Sequence, residues 1–159
     1  MTRRTLLAFA SAPVTALSQN PPSVDFPGFR AKSIDGESFT NDSIKGKPVL
    51  LQFWTTWCGV CRGDQSAVDE VTLKYREKGL LVLAVSVEES AETVKGYLQK
   101  SPRAPKIVLT EDTTLVSTLR PRAFPSYVVI NKEGKAVGIQ EGGGGLPALK
   151  GLLKRVGLE

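Results

Sequence analysis

From Val49 to Trp54 the chain reads Val-Leu-Leu-Gln-Phe-Trp, an almost unbroken apolar run of the length expected for a strand covered on both faces. Lys45-Gly46-Lys47-Pro48 punctuates the chain just before it. From Cys58 to about Lys78 apolar side chains (Val68, Val71, Leu73, Tyr75) recur at helical spacing, and Gly79 ends the pattern. Leu80 to Val87 predicts a second buried strand, and Ser90 is a candidate cap for a helix through Lys100, with Glu92 in its first turn. Pro102 and Pro105 break the chain ahead of a short strand at Lys106 to Leu109, and a helix is expected from about Thr113 to Leu119. Tyr127 to Asn131 and Lys135 to Gln140, joined through Lys132-Glu133-Gly134, form the clearest hairpin. Gly142 to Gly145 reads as a flexible connection, and Leu146 to Val156 as a closing amphipathic helix. Upstream, Val24 to Phe39 alternates loosely around Asp35-Gly36 and predicts an N-terminal hairpin. Strand-helix-strand units followed by a hairpin and a helix imply an α/β fold, a central mixed sheet sandwiched by helices, with that leading hairpin as an extension.

The first residues have a different character. Met1-Thr2-Arg3-Arg4, an apolar segment from Leu6 to Leu17, and the polar, Pro-rich Ser18-Gln19-Asn20-Pro21-Pro22 have the layout of an export signal. The apolar stretch is too short, and too interrupted by Pro13, for a membrane span. Thr-Arg-Arg-Thr-Leu-Leu also resembles a twin-arginine signal, and cleavage after Ala16 or Ser18 fits either type. Residues 1–18 are thus expected to be a leader and 19–159 a single domain. Without the leader the 21 basic residues fall to 19 against 16 acidic, too mild and too dispersed a charge to imply nucleic-acid binding.

Chemistry concentrates at one place. Cys58 and Cys61 are the only two cysteines, and the chain has no histidine, so a four-ligand zinc site is not available to it. If the helix begins near Cys58, the i,i+3 spacing puts both sulfurs on one side of its first turn, within bridging range. The leading sulfur then lies among unpaired amides at the positive end of the helix dipole, which favours thiolate. That makes Cys58 the expected nucleophile. Cys61 is the expected resolving thiol, placed to attack a mixed disulfide on Cys58. A disulfide closing so short a loop removes little chain entropy, which argues for a redox role over a structural one. No metal, nucleotide or other cofactor is expected, since no nucleotide fingerprint is present and the glycine run lacks the Lys-Ser/Thr of a phosphate loop.

Trp57-Cys58-Gly59-Val60-Cys61, Pro125 ahead of the terminal hairpin, and the element order together resemble the thioredoxin fold, and more narrowly the exported TlpA/ResA-like thiol-disulfide oxidoreductases, related to the redoxin (AhpC/TSA) group. The resemblance implies that Pro125 is a cis-proline facing the dithiol, and that Phe124 borders the groove for an extended substrate segment. Trp57, Gly59 and Val60 would complete the substrate-contacting surface. It also implies that Asp64, one turn after Cys61, tunes the thiols and moves protons. A carboxylate there can accept the proton of the resolving thiol. Four departures from the family pattern concern potential and partner: Gln52 stands where thioredoxins carry a buried aspartate, Gly59-Val60 replaces the commoner proline-containing pair between the cysteines, Gln65-Ser66 lacks the usual helix-kinking proline, and Arg120-Pro121-Arg122 lacks the usual glycine.

The expected function is an extracytoplasmic dithiol-disulfide oxidoreductase exchanging with protein cysteines as a reductase, acting as a monomer and refilled by a membrane-borne electron donor. A peroxiredoxin-like thiol peroxidase is an alternative, because Thr55 lies three before Cys58 and Arg122 would serve as its cationic partner; the proline of that motif would fall at Leu51. A DsbA-type oxidase or isomerase, and a non-catalytic thioredoxin-like binding module, are the others.

Overall fold

The structure is a computed structural model describing residues 22–159, so the expected leader lies outside the described residues. The strands are β1 Val24–Asp25, β2 Arg30–Ser33, β3 Ser38–Thr40, β4 Val49–Trp54, β5 Leu81–Ser86, β6 Lys106–Thr113, β7 Ser126–Ile130 and β8 Lys135–Glu141. The helices are α1 Asn41–Ile44, α2 Gly59–Tyr75, α3 Ala91–Lys100, α4 Leu115–Leu119 and α5 Gly145–Lys154. All eight strands join one mixed sheet in the order β1-β8-β7-β4-β5-β6-β2-β3. β4 runs parallel to β5 and antiparallel to β7, and β5 runs parallel to β6. The two parallel connections carry α2 and α3, the crossovers such pairing requires.

Every residue of β4 is buried, as its apolar run predicts. Its side chains alternate between two cores. Val49, Leu51 and Phe53 join Leu83, Val85, Val128 and Ile130 on one face, while Leu50 packs with Val68, Val71, Tyr75, Leu149 and Leu153 under α2 and α5. The period of two therefore places Gln52 on the helix-covered side, where an unpaired amide would be costly.

α2 ends where the helical pattern stops, through a 3-10 turn at Arg76–Lys78 and Gly79 in the left-handed region at φ 86°. Two local expectations change, and one short helix is added. The leading hairpin comprises only β2 and β3, and Val24–Asp25 instead pairs with β8 at the opposite edge. β6 continues to Thr113 because Ala31 of β2 pairs with Thr113, so tertiary pairing extends the strand through polar residues that carry no apolar signal. The short α1, capped by Thr40 and Ser43, follows from that capping box rather than from any hydrophobic period.

Leu149 is fully buried and fastens α5 to the sheet. Leu149→Ala is expected to lower unfolding free energy by about 3 kcal/mol, read as an earlier urea midpoint with unchanged slope.

Candidate active site

α2 begins immediately after Cys58, whose sulfur caps the helix by accepting the Cys61 amide at 3.1 Å. Cys58 and Cys61 are joined in a disulfide with their Cα atoms 5.2 Å apart. The expected bridge geometry is thus present. Cys58 is the less enclosed of the two, at 6% exposure against 2% for Cys61. Its sulfur also lies 3.6 Å from the carbonyl oxygen of Phe124. The Phe124–Pro125 peptide is cis and lies immediately before β7, so the carbonyl that meets Cys58 belongs to the residue preceding the cis-proline.

Around the sulfurs the surface is apolar. Trp57 is 69% exposed and Val60 55%, unusual for side chains of this kind, and the Trp57 ring meets Phe124 edge-on at 6.3 Å. Glu89 shapes this lip from behind by accepting hydrogen bonds from both the amide (2.8 Å) and the hydroxyl of Thr56. Nothing in the spacing of Glu89, 33 residues from Thr56, marks it in the sequence.

Asp64 is buried, at 6% exposure. One carboxylate oxygen accepts the Gly145 amide at 3.0 Å, the other accepts the Tyr127 hydroxyl at 2.9 Å, and the Gly144 amide approaches both. The carboxylate thus sits at the N-terminus of α5, where amides and dipole favour negative charge. This corrects the reading of Gly142 to Gly145 as a flexible connection: the segment folds onto Asp64. At Gly143 a Cβ would come within 2.6 Å of Val60 Cγ1 and 3.3 Å of both Asp64 oxygens, so the close approach needs glycine.

A buried polar chain continues from Asp64 beneath the cysteines. Gln52 Nε2 donates to the Tyr127 hydroxyl at 3.3 Å, and Gln52 Oε1 accepts from Arg103 Nη2 at 3.0 Å. Gln52 and Tyr127 face each other across the β4–β7 ladder. Arg103 has a side chain only 1% exposed, lies over the Trp54 ring at 5.0 Å, and reaches Asp69 of α2 with Nε at 3.4 Å. Asp69 also accepts the Ala104 amide, holding the loop that carries Arg103. Burial pushes the Tyr127 hydroxyl well above its ordinary range, with the negative charge of Asp64 adding to the effect, so the phenol remains a donor. Burial pulls the Arg103 guanidinium down from its ordinary value, opposed by Asp69. An arginine nonetheless keeps its proton in a protein. In the sequence Gln52 stands out only as a departure from the family pattern, Arg103 only as part of a proline-bounded break, and Tyr127 only as the start of a hairpin strand.

Thr55 and Arg122 are not brought to the sulfur. The Thr55 hydroxyl is buried without a hydrogen-bond partner, and Arg122 is exposed and, among the described residues, makes no hydrogen bond to Cys58. Among the described residues no cluster of metal-ligating side chains occurs, and no helix is long and apolar enough to cross a membrane.

Residues 22–138 match the model of the AhpC/TSA family. The chain belongs to the AhpC/TSA family. Within that family it is similar to the thiol-disulfide oxidoreductase ResA of Bacillus cereus, 29% identical over 111 residues, which covers 70% of this chain and 64% of that protein. ResA of Bacillus thuringiensis (strain Al Hakam) is 28% identical over 130 residues, covering 82% of this chain and 75% of the relative. Among solved structures, a thiol:disulfide interchange protein of the thioredoxin family from Chlorobium tepidum TLS superposes with a TM-score of 0.73 at 22% identity, covering 85% of this chain and 97% of that one. The fold is therefore thioredoxin-like, as the resemblance implied, with β2 and β3 extending one edge of the sheet and β1 the other.

Asp64→Ala would leave the Gly144 and Gly145 amides and the Tyr127 hydroxyl facing a void. Loss of about 3 kcal/mol in urea unfolding is expected, with Asp64→Asn costing less because it retains one acceptor oxygen.

Proposed function

We propose that this protein is a thiol-disulfide oxidoreductase acting on cysteines of other proteins, as a reductase, outside the cytoplasm. The observation that carries this reading is the Cys58–Cys61 disulfide at the start of α2, with the outer sulfur beside the carbonyl of Phe124, whose ring meets the exposed Trp57. The similarity to proteins named thiol-disulfide oxidoreductase supports it.

In the reduced protein, Cys58 thiolate attacks a client disulfide. One client sulfur leaves as thiolate and the other remains bonded to Cys58. Cys61 then gives up its proton and attacks Cys58, re-forming the 58–61 disulfide and releasing the second client sulfur, so two electrons pass to the client. The α2 amides stabilise the Cys58 thiolate. The lip of Trp57, Gly59, Val60, Phe124 and Pro125 receives the client segment, its apolar side chains gaining burial when covered. Asp64 accepts the proton from Cys61. The protein works as a monomer, is carried out of the cytoplasm by its N-terminal segment, and is re-reduced by a membrane-borne dithiol donor.

The peroxidase reading lacks the polar neighbours its nucleophile needs, since neither the Thr55 hydroxyl nor Arg122 hydrogen-bonds to Cys58. Cys61→Ala is expected to accumulate mixed disulfides with clients, visible as reducible high-mass adducts on non-reducing gels, while Cys58→Ala accumulates none. Equal absence of adducts from both variants would identify a binding module instead. The potential of the pair is expected near the thioredoxin value of about −270 mV, measured against glutathione or dithiothreitol buffers; a value near about −120 mV would mean an oxidase.

A further inference from the structure

The polar chain Asp69–Arg103–Gln52–Tyr127–Asp64 has a fixed direction. An arginine has only donors, so the Gln52 atom facing Arg103 Nη2 at 3.0 Å must be its oxygen. The amide nitrogen then faces Tyr127 and donates to the hydroxyl oxygen at 3.3 Å, leaving the phenolic proton to point at Asp64 Oδ2, 2.9 Å away. Asp64 thereby receives a third donor besides the Gly144 and Gly145 amides. Without Arg103 the Gln52 amide is free to turn over and present oxygen to Tyr127, and the phenol proton can then leave Asp64.

We propose that Arg103 is a positioning residue for the proton step at Cys61: through Gln52 it fixes Tyr127 as a donor to Asp64, and so keeps Asp64 ready to accept the proton of the resolving thiol. This rests on the reading of Asp64 given above. The charged and titratable groups bearing on the step are Cys58, Cys61, Asp64 and Asp69 of α2, Tyr127 of β7, Tyr97 of α3, and Arg103 itself. Tyr97 hydrogen-bonds Gln65 and contributes to the field at Arg103 without joining the chain. In the step, the Cys61 proton passes to Asp64, the Cys61 sulfur bonds to Cys58, and the sulfur previously bonded to Cys58 leaves as thiolate carrying the electron pair.

Mixing the reduced full-length protein with excess 5,5′-dithiobis(2-nitrobenzoate) in a stopped-flow spectrophotometer separates the two exchanges. The first thionitrobenzoate reports attack by Cys58, and the second, concentration-independent release reports resolution by Cys61. For Arg103→Met and Gln52→Glu the pH at half-maximal resolution is expected to rise by about one unit, the worth of one hydrogen bond to a charged group, and for Asp64→Asn, which has no oxygen able to take the proton, to rise further. Gln52→Glu keeps the size and the Arg103 contact but offers only oxygen to Tyr127, so it reverses the chain without emptying the core. Arg103→Lys, which retains a donor for Gln52, is expected to restore the wild-type profile. If Asp64→Asn moves the profile while Arg103→Met and Gln52→Glu do not, the relay is overturned and the role of Asp64 stands. A uniform slowing at every pH also overturns it, since that is what a merely structural arginine gives. If even Asp64→Asn leaves the profile in place, both the relay and the proton role of Asp64 fall.

Discussion

The molecule is organised by the way α2 leaves β4. A strand buried along its whole length ends at Trp54 in the middle of the sheet, and the next helix must begin within a few residues while its first amides find partners. Cys58 supplies one by capping with its sulfur. The outer sulfur of the disulfide and the helix cap are therefore the same feature, and whatever holds α2 in place also sets the environment of that sulfur. Leu50, Val68 and Val71 hold it against the sheet, and Asp64 and Asp69 hold it to the loops that flank it.

Those two carboxylates point in different directions for a reason. Asp64 binds the start of α5 and Asp69 binds the Arg103 loop, so α2 is tied on both sides by charges that could not be buried alone. Between them Gln52 occupies the centre of the sheet. In place of a titratable carboxylate on β4, this chain has a neutral amide spanning a guanidinium and a phenol. Charge is thereby moved one layer outward, onto α2, and the strand itself carries none.

Much of this was legible in the sequence because it depends on periodicity or on adjacency. β4, β5, the α2 boundaries, the β7–β8 hairpin and α5 all follow apolar runs or helical spacing ended by glycine, and the sulfur pair follows from i,i+3 geometry. The cis Phe124–Pro125 bond was reachable only through family resemblance, since an X-Pro bond by itself is usually trans. Arg103, Glu89 and the glycine segment were not legible, because their partners lie 51, 33 and about 80 residues away and no local pattern records such pairings. Glycines that read as freedom in a sequence can instead mark contact, as Gly143 does against Val60 and Asp64.

The apolar lip and the polar floor divide the work of the site. Trp57, Val60 and Phe124 offer area without directional demands, which suits clients whose only shared feature is a disulfide. Beneath them every hydrogen bond from Arg103 to Asp64 has one allowed direction, because the chain starts at a group with donors only and ends at one with acceptors only. The two layers meet at the disulfide: Cys58 is the less enclosed of the pair, and Cys61, the more enclosed, lies one helical turn before the carboxylate that terminates the polar chain.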